Sequence, residues 1–123
     1  MRIHHLALRT ADLPRLERFY ADVLGLEVLR RDGGRSVWLD AGGAIVMLER
    51  RTDGEPAIDP ASLELTCFAI EAGEHRAVVG RLEATGVSVE GRTAYSMYFR
   101  DPDGRRVGVS SFPTELEEPA PQA

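Results

Sequence analysis

Two histidines stand side by side, His4 and His5, in the stretch IHHLALRT near the start of the chain. An imidazole there can ligate a metal ion, move a proton near neutral pH, or serve as an ordinary polar side chain. Other groups able to do chemistry are scattered: Arg9, Arg100 and Arg106, the acids Asp40 and Glu49, the rings of Trp38 and Tyr98, and Cys67. Cys67 is the lone cysteine, so the chain forms no internal disulfide and no cysteine-only metal site. No histidine lies near Cys67 in sequence to activate it, and a structural thiol is the simpler reading. His75, at the start of a helical pattern, is expected to be exposed.

The elements that must position these groups follow from periodicity. IHHLALRT (3–10) alternates like a strand. LPRLERFYADVLG (13–25) carries apolar residues at helical spacing, with Asp12 as N-cap, Pro14 in the first turn and Gly25 as terminator. LEVLRRD, RSVWLD and AIVMLER then read as three strands around the turns Gly33-Gly34 and Gly42-Gly43. After the segment RTDGEPAIDPAS the pattern restarts. LELTCFAIEA is a strand, GEHRAVVGRLEATG a helix, and VSVEG, YSMYF and RVGVSSF are strands, the last two joined by the DPDG turn at 101–104. The acids of that turn are expected to be turn acceptors.

The order β-α-β-β-β thus occurs twice, offset by about sixty residues. LGLEV lies over TGVSV, SVWLD over SMYFR, and AIVML over RRVGV. The expected organisation is a single domain with module one at 1–50, a linker at 51–62, module two at 63–112, and a tail at 113–123 that is disordered or loosely docked. At 123 residues the chain is too short for two independent cores. A formal net charge of −5 argues against a nucleic-acid binder and against recruitment to an anionic membrane. Without a signal core or a run of transmembrane length, the expected location is cytoplasmic.

His5-Leu6-Ala7-Leu8 with Asp12-Leu13, the stretch FYADVLGLEV and the late turn YFRDPDGRRV resemble the vicinal oxygen chelate superfamily. That group includes glyoxalase I, extradiol dioxygenases, fosfomycin-resistance enzymes and bleomycin-resistance proteins. The resemblance implies an α+β fold of two βαβββ modules whose curved mixed sheets enclose a cleft, with helices outside, and a homodimer. It also implies a small-molecule ligand. In metal-binding members a first-strand histidine, at the position of His5, joins ligands at the matching strand of the second module and on the fourth strands.

Strand alternation assigns the faces. Val37, Leu39, Val46 and Leu48 match Met97, Phe99, Val107 and Val109 and belong under the helices. The opposite face carries His5, Ala7, Arg9, Trp38, Asp40, Ile45, Met47 and Glu49 in module one. In module two it carries Leu65, Cys67, Ala69, Tyr98, Arg100, Arg106, Gly108 and Ser110, while His4 points away from His5's side. Where metal-binding relatives have ligands, this chain has Leu65, Met47 and Gly108. The leading expectation is therefore a protein without a metal cofactor that binds a small organic molecule. Its contacts would come from His5, Arg9, Trp38, Asp40, Met47, Glu49, Cys67, Tyr98, Arg100 and Ser110. Trp38 and Tyr98 offer flat faces, and the arginines could hold a carboxylate or phosphate. Two enzymatic alternatives stand beside it. One is a lyase or dioxygenase using one divalent ion held by His5 and Glu49. The other is metal-free catalysis in which His5 moves a proton and Arg9 or Arg100 stabilises an enolate-like charge.

Overall fold

The computed structural model describes residues 1–117. It divides into two compact units, Met1–Ile58 and Asp59 onward. Unit one contains strand β1 (His5–Thr10), helix α1 (Leu13–Glu17) running directly into a π-helical segment (Arg18–Val23), and strands β2 (Glu27–Asp32), β3 (Ser36–Asp40) and β4 (Ile45–Arg50). Unit two repeats the order with β5 (Leu65–Ala69), α2 (His75–Ala84), β6 (Gly91–Arg92), β7 (Ser96–Arg100) and β8 (Arg106–Ser110). The two sheets have the same topology, β1-β4-β3-β2 and β5-β8-β7-β6. In each, the first strand pairs in parallel with the fourth and the other pairings are antiparallel. The fold is α+β, built from two βαβββ modules as the repeat requires.

The helices end alike in both units, for the same physical reason. Gly25 and Gly86 adopt φ of +79° and +77°, the left-handed conformation that closes a helix without a Cβ penalty. Their successors, Leu26 and Val87, donate backwards to Tyr20 and Leu82. At the other end of α1, the Asp12 carboxylate accepts the Arg15 amide at 3.1 Å. The π-helical winding was not legible in the spacing; it is carried by an i→i−5 bond from the Leu24 amide to the Phe19 carbonyl.

One face of each sheet is the core face. Val37, Leu39, Val46 and Leu48 are buried with Leu13, Leu16, Phe19, Tyr20 and Val23 in unit one, where α1 packs on β3 and β4. Met97, Phe99, Val107 and Val109 are buried with Val78 and Leu82 in unit two. Alternation had assigned these eight strand residues to that side.

Three details depart from the sequence reading, and the tail adds a further observation. The segment VSVEG is a strand only at its end, since β6 spans two residues and Val89 is exposed. His75 is buried, not exposed, with its Nδ1 2.8 Å from the Ala72 carbonyl, so the ring closes the turn that starts α2. Residues 113–117 of the tail are docked. Leu116 is buried, and the amides of Leu116 and Glu117 donate to the carbonyls of Ala94 and Ala72. The remainder of the tail, 118–123, lies outside the described residues. Finally, β2 carries a bulge between Val28 and Arg30 that ejects Leu29 to solvent and sets Arg30 opposite Trp38.

Candidate ligand platforms on the open sheet faces

The face of each sheet away from its core is built from cross-strand rows. In unit one these are His5–Ile45–Asp40, Ala7–Met47–Trp38 and Arg9–Glu49–Ser36. In unit two they are Leu65–Arg106–Arg100, Cys67–Gly108–Tyr98 and Ala69–Ser110–Ser96. Every residue expected at a site lies on one of these two faces. Their availability differs sharply.

Several are already committed to their own unit. Arg9 grips Glu55 through two nitrogens, at 3.1 Å from Nε and 2.7 Å from Nη2, and lies 3.6 Å from Glu49. This pairing, with help from the Thr52 amide, holds the Glu55 carboxyl at about 2. Arg100 is bound to both oxygens of Glu90, at 2.9 and 3.0 Å, and donates to the Ser62 and Gly104 carbonyls. Its hydrogen bonds hold the Glu90 carboxyl below the usual range. Asp40 accepts the Gly42 amide at 2.8 Å as a turn acceptor. Ser110 accepts from the Ser96 hydroxyl at 2.8 Å and from the Phe112 amide. In the DPDG turn, Asp101 is buried and accepts from Asp103 and Arg105, the turn-acceptor role expected of it.

The rest is an apolar and aromatic strip. Ala7, Met47 and Trp38 form the central row of unit one, with the Arg30 guanidinium 5.5 Å from the Trp38 ring centre. In unit two Tyr98 sits between glycines on both neighbouring strands, Gly91 and Gly108. A Cβ on Gly108 would come within 2.9 Å of the Tyr98 ring and 3.3 Å of the Cys67 sulfur. The missing side chain is what lets the ring lie against β8. Arg106 covers that ring, its guanidinium carbon 4.6 Å from the centre. Cys67 is exposed, but local desolvation pushes its thiol pKa up, the opposite of what an activated nucleophile requires.

His5 does not find metal-ligating company. Its strand partner is Ile45, and the equivalent position in unit two, Leu65, pairs with Arg106. Glu49 pairs four residues farther along, with Arg9, which at a rise of about 3.3 Å per residue is about 13 Å from His5's level. Glu49 also leans to Arg9, so the proposed His5–Glu49 pair does not converge on one ion. No group of three or more His, Cys, Asp or Glu suited to a metal exists among the described residues. His5 instead meets His4: their Nδ1 atoms are 2.9 Å apart and the rings are edge to face. Both are exposed, so His4 does not turn away as alternation suggested.

Two grooves of small-molecule size lie elsewhere. One, of about 480 Å³, borders the start of α1 near Pro14, Glu17, Arg31 and Arg50. The other, of about 530 Å³, runs beside α2 near Val79, Leu82, Val87 and Val89. Neither includes a residue expected at the site. Sequence reasoning missed the paired roles of Glu55 and Glu90 and the approach of Arg30 to Trp38. No short-range signal marks them, because the first two depend on loop paths and the third on the bulge. Among the described residues no helix is long and apolar enough to cross a membrane.

Comparison with known proteins agrees with this architecture. Residues 2–109 match the family model of the Glyoxalase/Bleomycin resistance protein/Dioxygenase superfamily. The virulence protein STM3117 of Salmonella typhimurium is 32% identical over 123 residues, covering 90% of this chain and 84% of that protein. A lactoylglutathione lyase from Agrobacterium tumefaciens is 27% identical with a TM-score of 0.66, covering 89% of this chain and 92% of the other. The fosfomycin resistance protein FosX from Listeria monocytogenes, solved with Mn(II) and a dihydroxypropylphosphonic acid, shares the fold at 18% identity. Its TM-score is 0.72, over 90% of this chain and 89% of that one. With the duplicated βαβββ topology and a family match over nearly its whole length, the chain belongs to the glyoxalase/bleomycin resistance protein/dioxygenase superfamily.

Proposed function

We propose that this protein binds a small, flat organic molecule on its open sheet faces, using its own side chains and no resident metal ion. The observation that carries this reading is the row Ala7–Met47–Trp38, an apolar strip on an open strand surface whose neighbours Arg9 and Asp40 are already engaged. An aromatic face beside a thioether suits a planar, mostly apolar ligand. The positions where the resemblance puts ligands in metal-using relatives are filled here by groups without suitable donor atoms, Leu65, Met47 and Gly108. An acid–base role for His5 is less well supported, since Arg9 and Arg100, the groups that would stabilise an enolate, already hold carboxylates. The fold relatives include a lyase and a resistance protein, so binding rather than turnover is a reading of these residues and not of the fold.

Trp38 is the sole tryptophan, so its fluorescence reports this surface directly. A library of planar aromatic compounds titrated in the presence of a chelator is expected to yield binders that quench Trp38. Met47→Glu, which sets a charge in the row, should weaken them by roughly tenfold or more. Binding that appears only after Mn²⁺, Ni²⁺ or Zn²⁺ is added would overturn the reading. The homodimer and the cytoplasmic location stay parts of the proposal, the former checked by light scattering on the full chain.

A further inference from the structure

We propose that Arg106 is the anion-holding arm of this surface and that the ligand is a planar carboxylic acid, its carboxylate on the Arg106 guanidinium where that group caps Tyr98. The inference rests on the binding role proposed above and names the substrate class for unit two. Of the three arginines that strand alternation placed on the open faces, two are already paired with carboxylates at hydrogen-bond distance. Arg9 makes a two-nitrogen pair with Glu55, and Arg100 takes both oxygens of Glu90 plus two carbonyls. Arg106 is left over. Its nearest carboxylate oxygen, on Glu90, is 3.7 Å from Nε, beyond hydrogen-bond distance, and its Nη1 reaches the Leu63 carbonyl only at 3.4 Å. Nε is buried without any hydrogen-bond partner. Two guanidinium groups therefore share one carboxylate, and the shortfall falls on Arg106.

The surroundings fit a flat acid. Arg106 lies over the Tyr98 ring, and that ring is laid down between Gly91 and Gly108, neither of which projects a side chain beside it. Guanidinium groups stack on aromatic planes and present a planar fork that matches a carboxylate in two bonds. Stacking on Tyr98 holds the Arg106 fork in place for a carboxylate. The other acids near the β7–β8 turn, Asp101 and Asp103, are held by Arg105 and do not compete.

The test uses the full chain with 2-naphthoate and its uncharged counterpart 2-naphthamide, titrated by calorimetry and by the ring resonances of Tyr98. Naphthoate is expected to bind roughly tenfold more tightly than the amide, the usual worth of a charge-assisted hydrogen-bond pair. Arg106→Gln should erase that preference, and Arg106→Lys should retain only part of it. Glu90→Gln, which removes the competing carboxylate, should strengthen naphthoate several-fold, and this gain of affinity cannot arise from a damaged fold. Arg35→Gln, the same charge change in the β2–β3 turn, should have no effect. If both probes bind equally, or if Arg106→Gln keeps the preference, the inference fails while the binding role stands. If neither probe binds, the inference fails, and the binding role is decided separately by the Trp38 titration.

Discussion

Single side chains on the open faces are sorted by what they already hold. The Arg9–Glu55 pair ties the segment after β4 back onto β1, and its pH behaviour follows from the depressed Glu55 pKa. A carboxylate lowered from 4.5 to about 2 contributes stability above its unfolded value and loses it as the pH falls toward 2. We expect Glu55 to titrate near 2 by carboxyl-carbon NMR, with the Thr52 amide, which donates to it at 3.2 Å, losing exchange protection in the same range. A midpoint near 4.5 would show that the pair does not persist in solution. Gly108 supports a second expectation. A methyl group there would meet the Tyr98 ring at 2.9 Å and the Met97 carbonyl at 3.0 Å, so Gly108→Ala should cost about 1–3 kcal/mol in urea unfolding. Stability equal to that of the parent would mean that the ring moves aside freely. Which residues share a face was readable from alternation alone, because a period of two is a local property. Which of them are free was not, because Glu55 and Glu90 come from elements whose paths the alternation does not describe.

The elements themselves were largely legible where hydrophobic period and glycine punctuation agree, as in β3, β4, α2 and the closing glycines Gly25 and Gly86. They were not legible where one residue breaks the period. The β2 bulge sends Leu29 outward, 52% exposed, and gives its place opposite Trp38 to Arg30. Leu29→Asn should therefore change stability by less than about 0.5 kcal/mol, as for other exposed positions. Leu39→Ala, at a fully buried position of the neighbouring strand, should cost about 2–5 kcal/mol. Equal costs for the two would place Leu29 in the core and remove the bulge. Asp12→Ala tests the start of α1, where loss of the bond to the Arg15 amide should cost about 1 kcal/mol. The edge strand β6 was over-read because Val87 and Val89 look like strand residues, although the ladder pairs only Gly91 and Arg92.

Across the whole molecule, duplication explains why the family was recognisable and the ligand was not. Repeated topology places equivalent positions on equivalent strands, so His5 and Leu65 correspond, as do Trp38 and Tyr98, and the fold is over-determined. The topology does not fix the side chains at those positions, and here Leu65, Met47, Trp38 and Tyr98 are apolar or aromatic. The claim that these faces bind a planar molecule is tested most directly by NMR of the methyl and aromatic groups during titration with planar aromatic compounds under metal-free conditions. Shifts centred on Ala7, Met47 and the Trp38 indole, with Tyr98 responding in unit two, are the predicted result. Shifts confined to the grooves near Pro14 and Arg50 or near Val79 and Val87, with Trp38 and Tyr98 unmoved, would contradict it.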